Sequence, residues 1–496
     1  MSAPIVVVGA GFGGLSAACH LRRLGHEVTL FEAAGAPGGR AGLVHHDGYR
    51  FDSGPTVVTM VDLVRETFAA VGAELDDFCS LTRLDTAYRA NFADGSKLSV
   101  RADLDSMIGE VERFSGRADA DGFRRFVAWT GELYRLEFER FIAADVRGVG
   151  DLAEGVRPLL GLVAAGGFRS WWGKVSTFFT DDRLRRLFSF QAMYAGLSPL
   201  EALGLFAVIA HMDTVQGVYS VVGGVQALAG GLADAAVKAG VQIHYDAPVV
   251  RISTDRGSPA VHFADGSVVL ARAVVANPDL PIVYDSLLDV TPPRSLRRAH
   301  YSPSCMVWHL ALRGAVPEGT AHHNIHFGTQ WANAFDELLV HGRPMTDPSR
   351  FVTVASLSDP TAAPTGGHSA FVLEPVPNLG ADVDWRTETP RLTERMLRWA
   401  ESAGYPIADA EVVTVVDPPG WRSRGAARGT PFSIDHRFSQ SGPFRPGPED
   451  PRAPGVVFCG AGTRPGIGVP MVLISGANAA ERAHRFVTRT GQRSVR

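Results

Sequence analysis

The hydrophobic pattern near the start of the chain changes period twice. A β-branched run, Ile5–Val8, leads into a cluster of glycines. Residues 15–24 follow, rich in Ala, Leu and Arg as helices are, and Gly25 stops them before a second apolar run, Val28–Phe31. Strand, turn, helix and strand in that order predict a βαβ unit and therefore a parallel sheet. Residues 104–240 read as mostly helical, with segments at 104–114, 123–142, 182–194, 202–212 and 225–239. The segment Phe92-Ala-Asp-Gly-Ser96 returns as Phe263-Ala-Asp-Gly-Ser267. Asp-Gly between alternating apolar residues marks a hairpin, so two similar β-meanders are predicted. No fixed period surrounds them, which argues against a repeat array. Pro and Gly gather at 358–368 and 442–455, where loops or boundaries are expected. The end of the chain returns to a short strand at 456–459, a glycine-rich turn and a helix at about 470–487.

The 496 residues are more than one compact domain usually needs. A chain 45% hydrophobic and 20% charged is globular in composition. A net charge of -4, without a block of like charges, disfavours a nucleic-acid partner. Cys19, Cys79, Cys305 and Cys459 are far apart, which argues against a disulfide framework, a zinc site or a dithiol centre. They read as buried thiols in a reducing cytoplasm. Residues 1–21 lack the basic start of a signal peptide, and 214–233 are broken by glycines, glutamines and a serine. A cytoplasmic protein, free or resting on a membrane surface, is expected.

Gly9-Ala-Gly11-Phe12-Gly13-Gly14 follows the first strand and opens the first helix. Gly9 permits a tight turn, Gly11 lets backbone approach a pyrophosphate, and Gly14 lets helix and strand pack closely. The phosphate would meet the positive helix N-terminus. Glu32, at the end of the second strand, is placed to accept hydrogen bonds from a ribose hydroxyl pair. A dinucleotide cofactor is expected.

Pro37-Gly38-Gly39-Arg40 and Phe51-Asp-Ser-Gly54-Pro55 come next. From Gly9 to Pro55 the chain resembles the N-terminus of the flavin amine oxidase and phytoene desaturase superfamily. In that superfamily the Gly-Gly-Arg turn runs beside the diphosphate of FAD. The far end agrees: Gly460-Ala461-Gly-Thr-Arg-Pro-Gly-Ile-Gly468-Val469-Pro470 is similar to the segment beside the flavin ring and its ribityl chain. Many relatives with soluble substrates carry an acid where this chain has Ala461, and the run as a whole resembles the bacterial phytoene desaturases. Further likeness lies at Phe188-Ser-Phe-Gln-Ala-Met, at Val376-Pro-Asn-Leu-Gly380, and at Asp246-x-x-Val249, whose valine backbone meets the adenine in these flavoproteins.

The resemblance implies an α/β fold in which a Rossmann-like FAD-binding domain, discontinuous in sequence, joins a mixed β-sheet substrate domain and a helical lid or membrane-facing region. The FAD-binding parts are expected at 1–85, 216–290 and 426–496, with a substrate-domain hairpin at 86–103. A helical substrate or lid region at 104–215 and the substrate domain at 291–425 complete the division. The implied reaction is desaturation of phytoene or a later carotenoid intermediate, by hydride transfer to flavin N5 with loss of an adjacent proton. Quinone or oxygen would reoxidise the flavin.

A hydrocarbon offers no hydrogen-bonding handle, so an apolar tunnel is expected. Glu154 and Arg157 match charged family positions, and Asp336 lies in Ala-Phe-Asp-Glu-Leu-Leu, which resembles a family segment; all three are candidates for the catalytic machinery, with a solvated helix face or an ion pair as their plain alternative. His322-His323-Asn-Ile-His326 lacks a nearby carboxylate or cysteine, so no metal is expected. Residues 159–168, with Arg169, Trp171, Trp172, Lys174, Phe178 and Phe179, form a candidate membrane-docking surface or, alternatively, an internal helix. Rival functions are a related flavin oxidoreductase on another polyene, terpenoid or hydroxylated carotenoid, a flavin amine oxidase, and a non-catalytic lipid escort.

Overall fold

A computed structural model describes residues 3–145, 156–254 and 258–494. Glu154 therefore lies outside the described residues. The expected opening unit is present: β1 (Ile5–Val8), α1 (Phe12–Arg23) and β2 (Val28–Phe31). Every β1 and β2 side chain is buried on both faces, as in a parallel sheet covered by helices. Three further strands complete a five-stranded, wholly parallel sheet in the order Val456–Phe458, Ala273–Ala276, β1, β2, Gln242–His244. The sheet is thus assembled from the beginning, middle and end of the chain. The C-terminal helix Val469–Ser494 lies against α1, and Ser16 Oγ donates to the Leu473 carbonyl at 2.7 Å.

A second sheet has seven strands, ordered Glu411–Val416, Ser304–Arg313, Gly367–Val376, Arg350–Val354, His323–His326, Thr86–Asn91 and Lys97–Arg101. All its pairings are antiparallel except that of His323–His326 with Thr86–Asn91. The two Phe-Ala-Asp-Gly-Ser segments close the same turn. Gly95 and Gly266 sit at φ 82° and 85°, and Asp94 and Asp265 each accept from the serine N–H two residues on at 2.9 Å. They serve different sheets, the first this seven-stranded sheet and the second a small antiparallel sheet of three strands.

The helices at 104–240 are more broken than periodicity predicts. Leu104–Ser115 and Arg117–Glu137 are regular, but the latter ends in a π-turn, Phe138–Ile142. The segment expected at 182–194 divides into Asp182–Leu187 and a 3₁₀ stretch, Phe190–Ala195. Between them the Phe188 carbonyl accepts from the buried Trp171 Nε1 at 3.1 Å, a tertiary bond at the point where the helix stops. The segment at 202–212 becomes three short turns, the last a π-turn, His211–Val215. These pieces and the seven-stranded sheet enclose the largest apolar cluster among the described residues.

Candidate active site

Gly9 has φ 96°, a left-handed conformation that turns the chain sharply out of β1. A Cβ on Gly14 would stand 1.9 Å from the Gly9 carbonyl oxygen, so only hydrogen fits where α1 leaves the turn. No side chain caps α1, and its first residues, Phe12 and Gly13, open onto a cavity. The Gly38–Gly39 turn lies directly against this one: Gly38 N–H donates to the Ala10 carbonyl at 2.9 Å, and Gly11 and Gly38 form a parallel bridge. Arg40 pairs with the buried Asp279 at 3.2 Å. Asp279 in turn accepts from Ala427 N–H and Ser433 Oγ, both at 3.0 Å, which ties the Gly-Gly-Arg turn to a segment far along the chain.

Glu32 accepts from Ala10 N–H at 2.5 Å and Ala34 N–H at 2.9 Å. Its carboxylate is thereby fixed at the cavity wall with lone pairs to spare for a hydroxyl pair. From the far end, Gly460 N–H donates to Ser475 Oγ at 3.1 Å, and Gly460, Ala461, Gly468, Val469 and Pro470 reach the same cavity. Gly54, Pro55 and Val249 line it too. Each predicted cofactor residue thus lines this one cavity, apart from Gly14, which packs against Gly9. An uncapped helix end for a diphosphate, a fixed carboxylate for ribose hydroxyls and an arginine beside them suit a flavin dinucleotide. Asn277 also belongs to this wall: its side chain lies close to Gly9, Gly11, Gly13 and Gly460. Sequence reading passed over it, although it ends a β-branched strand beside β1, where open α/β sheets place ligands.

The cavity has a volume of about 990 Å³ and continues beyond the glycines into an apolar chamber. Phe190, Met193, Leu205, Ile209, Ile325 and Phe335 line that chamber. A few buried polar groups interrupt it. Asp213, Glu137, Tyr88 and Tyr194 face the same space. Burial raises the Asp213 carboxyl to about 7 and Glu137 well above the usual carboxylate range.

Of the expected catalytic side chains, the two among the described residues, Arg157 and Asp336, do not line this cavity. Asp336 is exposed and stands outside the cavity lining, although its neighbours Ala334 and Phe335 belong to it. A carboxylate on the solvent side of that turn has no access to a molecule in the chamber. Arg157 is likewise exposed, at the start of the helix Val156–Ala164. His323 is buried and His322 and His326 are half-buried, engaged with Thr353, Ser358 and Tyr405 respectively, and desolvation lowers His322 and His326 to about 4. Among the described residues no three potential ligands converge on a metal position.

The docking surface expected around residues 159–179 separates into inside and outside. Trp171 and Phe179 are buried in the core, and Lys174 lies over the Trp129 and Phe178 rings. Leu160 and Val163 are 62% and 57% exposed, and Phe168 is also at the surface. Phe168 meets Phe438 edge-on at 6.0 Å, and Phe438 lies 5.8 Å from Phe444. These three rings are at once exposed and part of the cavity lining, so they form an apolar rim at its mouth. No helix among the described residues is long and apolar enough to cross a membrane.

Residues 12–484 match the family described as flavin containing amine oxidoreductase. The chain is 45% identical over 483 residues to the phytoene dehydrogenase of Streptomyces griseus, covering 96% of this chain and 94% of that one. It is 35% identical to the zeta-carotene-forming phytoene desaturase of Myxococcus xanthus, with 96% and 93% covered. Among solved structures, an oxidoreductase from Methanosarcina mazei superposes with a TM-score of 0.62 at 17% identity, covering 95% of this chain and 98% of that one. The cyclohexylamine oxidase of Brevibacterium oxydans IH-35A gives 0.62 at 16% identity, with 98% and 99% covered. The structural likenesses establish the fold, and the full-length identities place the sequence: the chain belongs to the phytoene desaturase family of the flavin-containing amine oxidoreductases.

Proposed function

We propose that this chain is an FAD-dependent desaturase of a carotenoid precursor, phytoene or a later intermediate. The observation that carries the reading is the continuity of one cavity, glycine-walled where a dinucleotide fits and apolar beyond, in a chain so like the phytoene desaturases. When bound, FAD supplies the two-electron acceptor that takes a hydride from the polyene. Gly11, Gly39 and the α1 N-terminus would hold its diphosphate, Glu32 its ribose, and the 460–470 segment its flavin end. The chamber side chains bind by apolar contact, worth about 25 cal/mol per Å² buried. They also orient the chain and exclude water. Turnover needs an external acceptor, a quinone or oxygen, and assays with and without air in the presence of quinone tell them apart.

Expression beside a phytoene-producing pathway is expected to give coloured product with a longer conjugated system, read from pigment spectra. Pigment that stays colourless phytoene overturns this reading. No observation favours an amine: the chamber is apolar, and Ala461 stands where many soluble-substrate relatives carry an acid.

A substrate dissolved in lipid has to be collected from a membrane. The rim of Phe168, Phe438 and Phe444 supports docking there, with Leu160 and Val163 bare on the helix whose Leu159 and Leu162 line the cavity. Replacing Leu160, Val163 and Phe438 together with serine is expected to lower liposome co-sedimentation at least about tenfold, in line with roughly 1.5 kcal/mol for each large side chain withdrawn from lipid. Bound flavin should stay unchanged, and equal co-sedimentation overturns the docking role.

A further inference from the structure

Beyond the glycine wall, two fully buried carboxyls face the chamber, and the half-buried Asp347 lines it as well: Glu137 closes the helix Arg117–Glu137, and Asp213 sits within His211–Val215. Both are sealed from solvent, and each leaves an oxygen, Glu137 Oε1 or Asp213 Oδ2, without a hydrogen-bond partner. Buried polar atoms without partners cost about 1–3 kcal/mol each, so their retention on an apolar wall asks for a reason.

Their surroundings differ. Asp213 Oδ1 accepts from Thr214 Oγ1 at 2.9 Å. Tyr88 from the strand Thr86–Asn91 faces Asp213, with Tyr194 and Gln191 from the turn Phe190–Ala195. Tyr88 and Gln191 favour its ionised form, although neither tyrosine hydroxyl makes a hydrogen bond of good geometry. On its own turn, His211 stacks on Tyr134 at 5.1 Å. Glu137 has no comparable donors, and burial alone governs it. A carboxyl held protonated has no room for another proton, whereas one that titrates near neutrality has.

Position points the same way. Met212 packs in a cluster with Met60 and Met471, and Met471 directly follows the Gly468-Val469-Pro470 segment of the cofactor wall. Asp213 is therefore one residue from a side chain that shares a cluster with Met471, and both Met212 and Asp213 are part of the cavity lining.

We propose that Asp213 accepts the proton in the desaturation, with the Tyr88 hydroxyl facing its carboxylate. The inference rests on the substrate reading above. One polyene carbon gives up its hydrogen with the bonding pair to the two-electron acceptor. The C–H bond on the neighbouring carbon breaks, its electron pair becomes the new C=C bond, and the proton forms an O–H bond on Asp213. The carboxyl releases it between turnovers.

The test is Asp213→Asn, assayed as holoenzyme on phytoene-loaded liposomes across pH. Wild-type kcat should climb as pH passes through about 7. The variant should lose kcat about 100-fold or more and lose that pH step, while flavin absorbance is retained. Asp213→Glu should recover part of the rate. Independently of turnover, infrared difference spectra between low and high pH should show a carboxyl C=O band in the wild type that Asp213→Asn removes. Should the asparagine variant fail to fold, Tyr88→Phe serves. Without that donor the ionised form is less favoured, so the rate step moves to higher pH. An unmoved step, or an asparagine variant within about threefold of wild-type kcat with the same pH profile, overturns the proposal alone. A wild type that makes no pigment overturns the substrate reading and this proposal with it.

Discussion

Gly14→Val is expected to yield a colourless protein. The new Cβ would have to occupy a point 1.9 Å from the Gly9 carbonyl oxygen and 3.4 Å from Asn277 Cβ. The first of these is backbone and cannot swing aside. Relief comes only by prising α1 away from the β1 turn, which moves the helix N-terminus that faces the cavity. Overpacking of this kind costs about 1–3 kcal/mol or more, and the displaced helix end loses its aim on a diphosphate. Flavin affinity should weaken at least about 100-fold, or about 2.7 kcal/mol, measured by absorbance after desalting and by titration of the apoprotein. Gly230→Ala is the control. Its Cβ meets nothing within 4 Å on the helix Val225–Lys238, so the yellow colour stays and the melting temperature holds or rises slightly. A yellow Gly14→Val protein of normal affinity contradicts the assignment of this wall.

The second large effect is expected at Arg445. Its guanidinium is buried and surrounded by main-chain carbonyls. Nε donates to Thr463 at 3.0 Å, and Nη2 to Ala461 at 2.6 Å and Ile434 at 3.1 Å. Nη1 donates to Asp435 at 3.2 Å and Gln440 at 3.4 Å. One side chain thereby fastens the cofactor segment to the loop that carries the apolar rim. Arg445→Met fills much of the volume but strands these acceptors, at about 1–3 kcal/mol for each that water does not reach. A loss of about 4 kcal/mol in stability is expected by denaturant titration, together with weaker flavin binding. Lysine should restore little, because a point ammonium has too few donors, too narrowly placed, to span the acceptors. An Arg445→Met protein as stable as wild type would show that the loops hold together by other means.

How much of this was legible beforehand depends on the range of each constraint. Gly9, Gly14, Gly38 and Gly460 answer to local geometry, such as a positive φ or a missing Cβ, and local geometry is written in adjacent residues. The same holds for the two Asp-Gly hairpins, whose turns are alike although their sheets differ. Asp213 is another matter. In the run His211-Met-Asp-Thr it looks like one polar residue on a helix, and only burial beside Gln191 and Tyr88, both distant in sequence, makes its setting special. Arg445, in a stretch rich in Pro and Gly, reads as loop for the same reason. Asp336 shows the converse. Its segment contributes to the chamber through Ala334 and Phe335, but the direction of a single side chain is set by a π-turn that composition does not announce. Aromatic content was equally silent about Trp171 and Phe168, one in the core and the other on the rim.

With flavin along the glycines and entry past the aromatic rim, the unbroken passage from glycine wall to apolar chamber would set an order of loading. Whatever lies along the glycines becomes a side of the room in which the hydrocarbon rests. A polyene entering past Phe168 and Phe438 would then stand between the flavin and the door, holding the cofactor in place for as long as it stays. Retention of flavin during dialysis should accordingly lengthen when the hydrocarbon is present, a protection that needs no direct bond between the two.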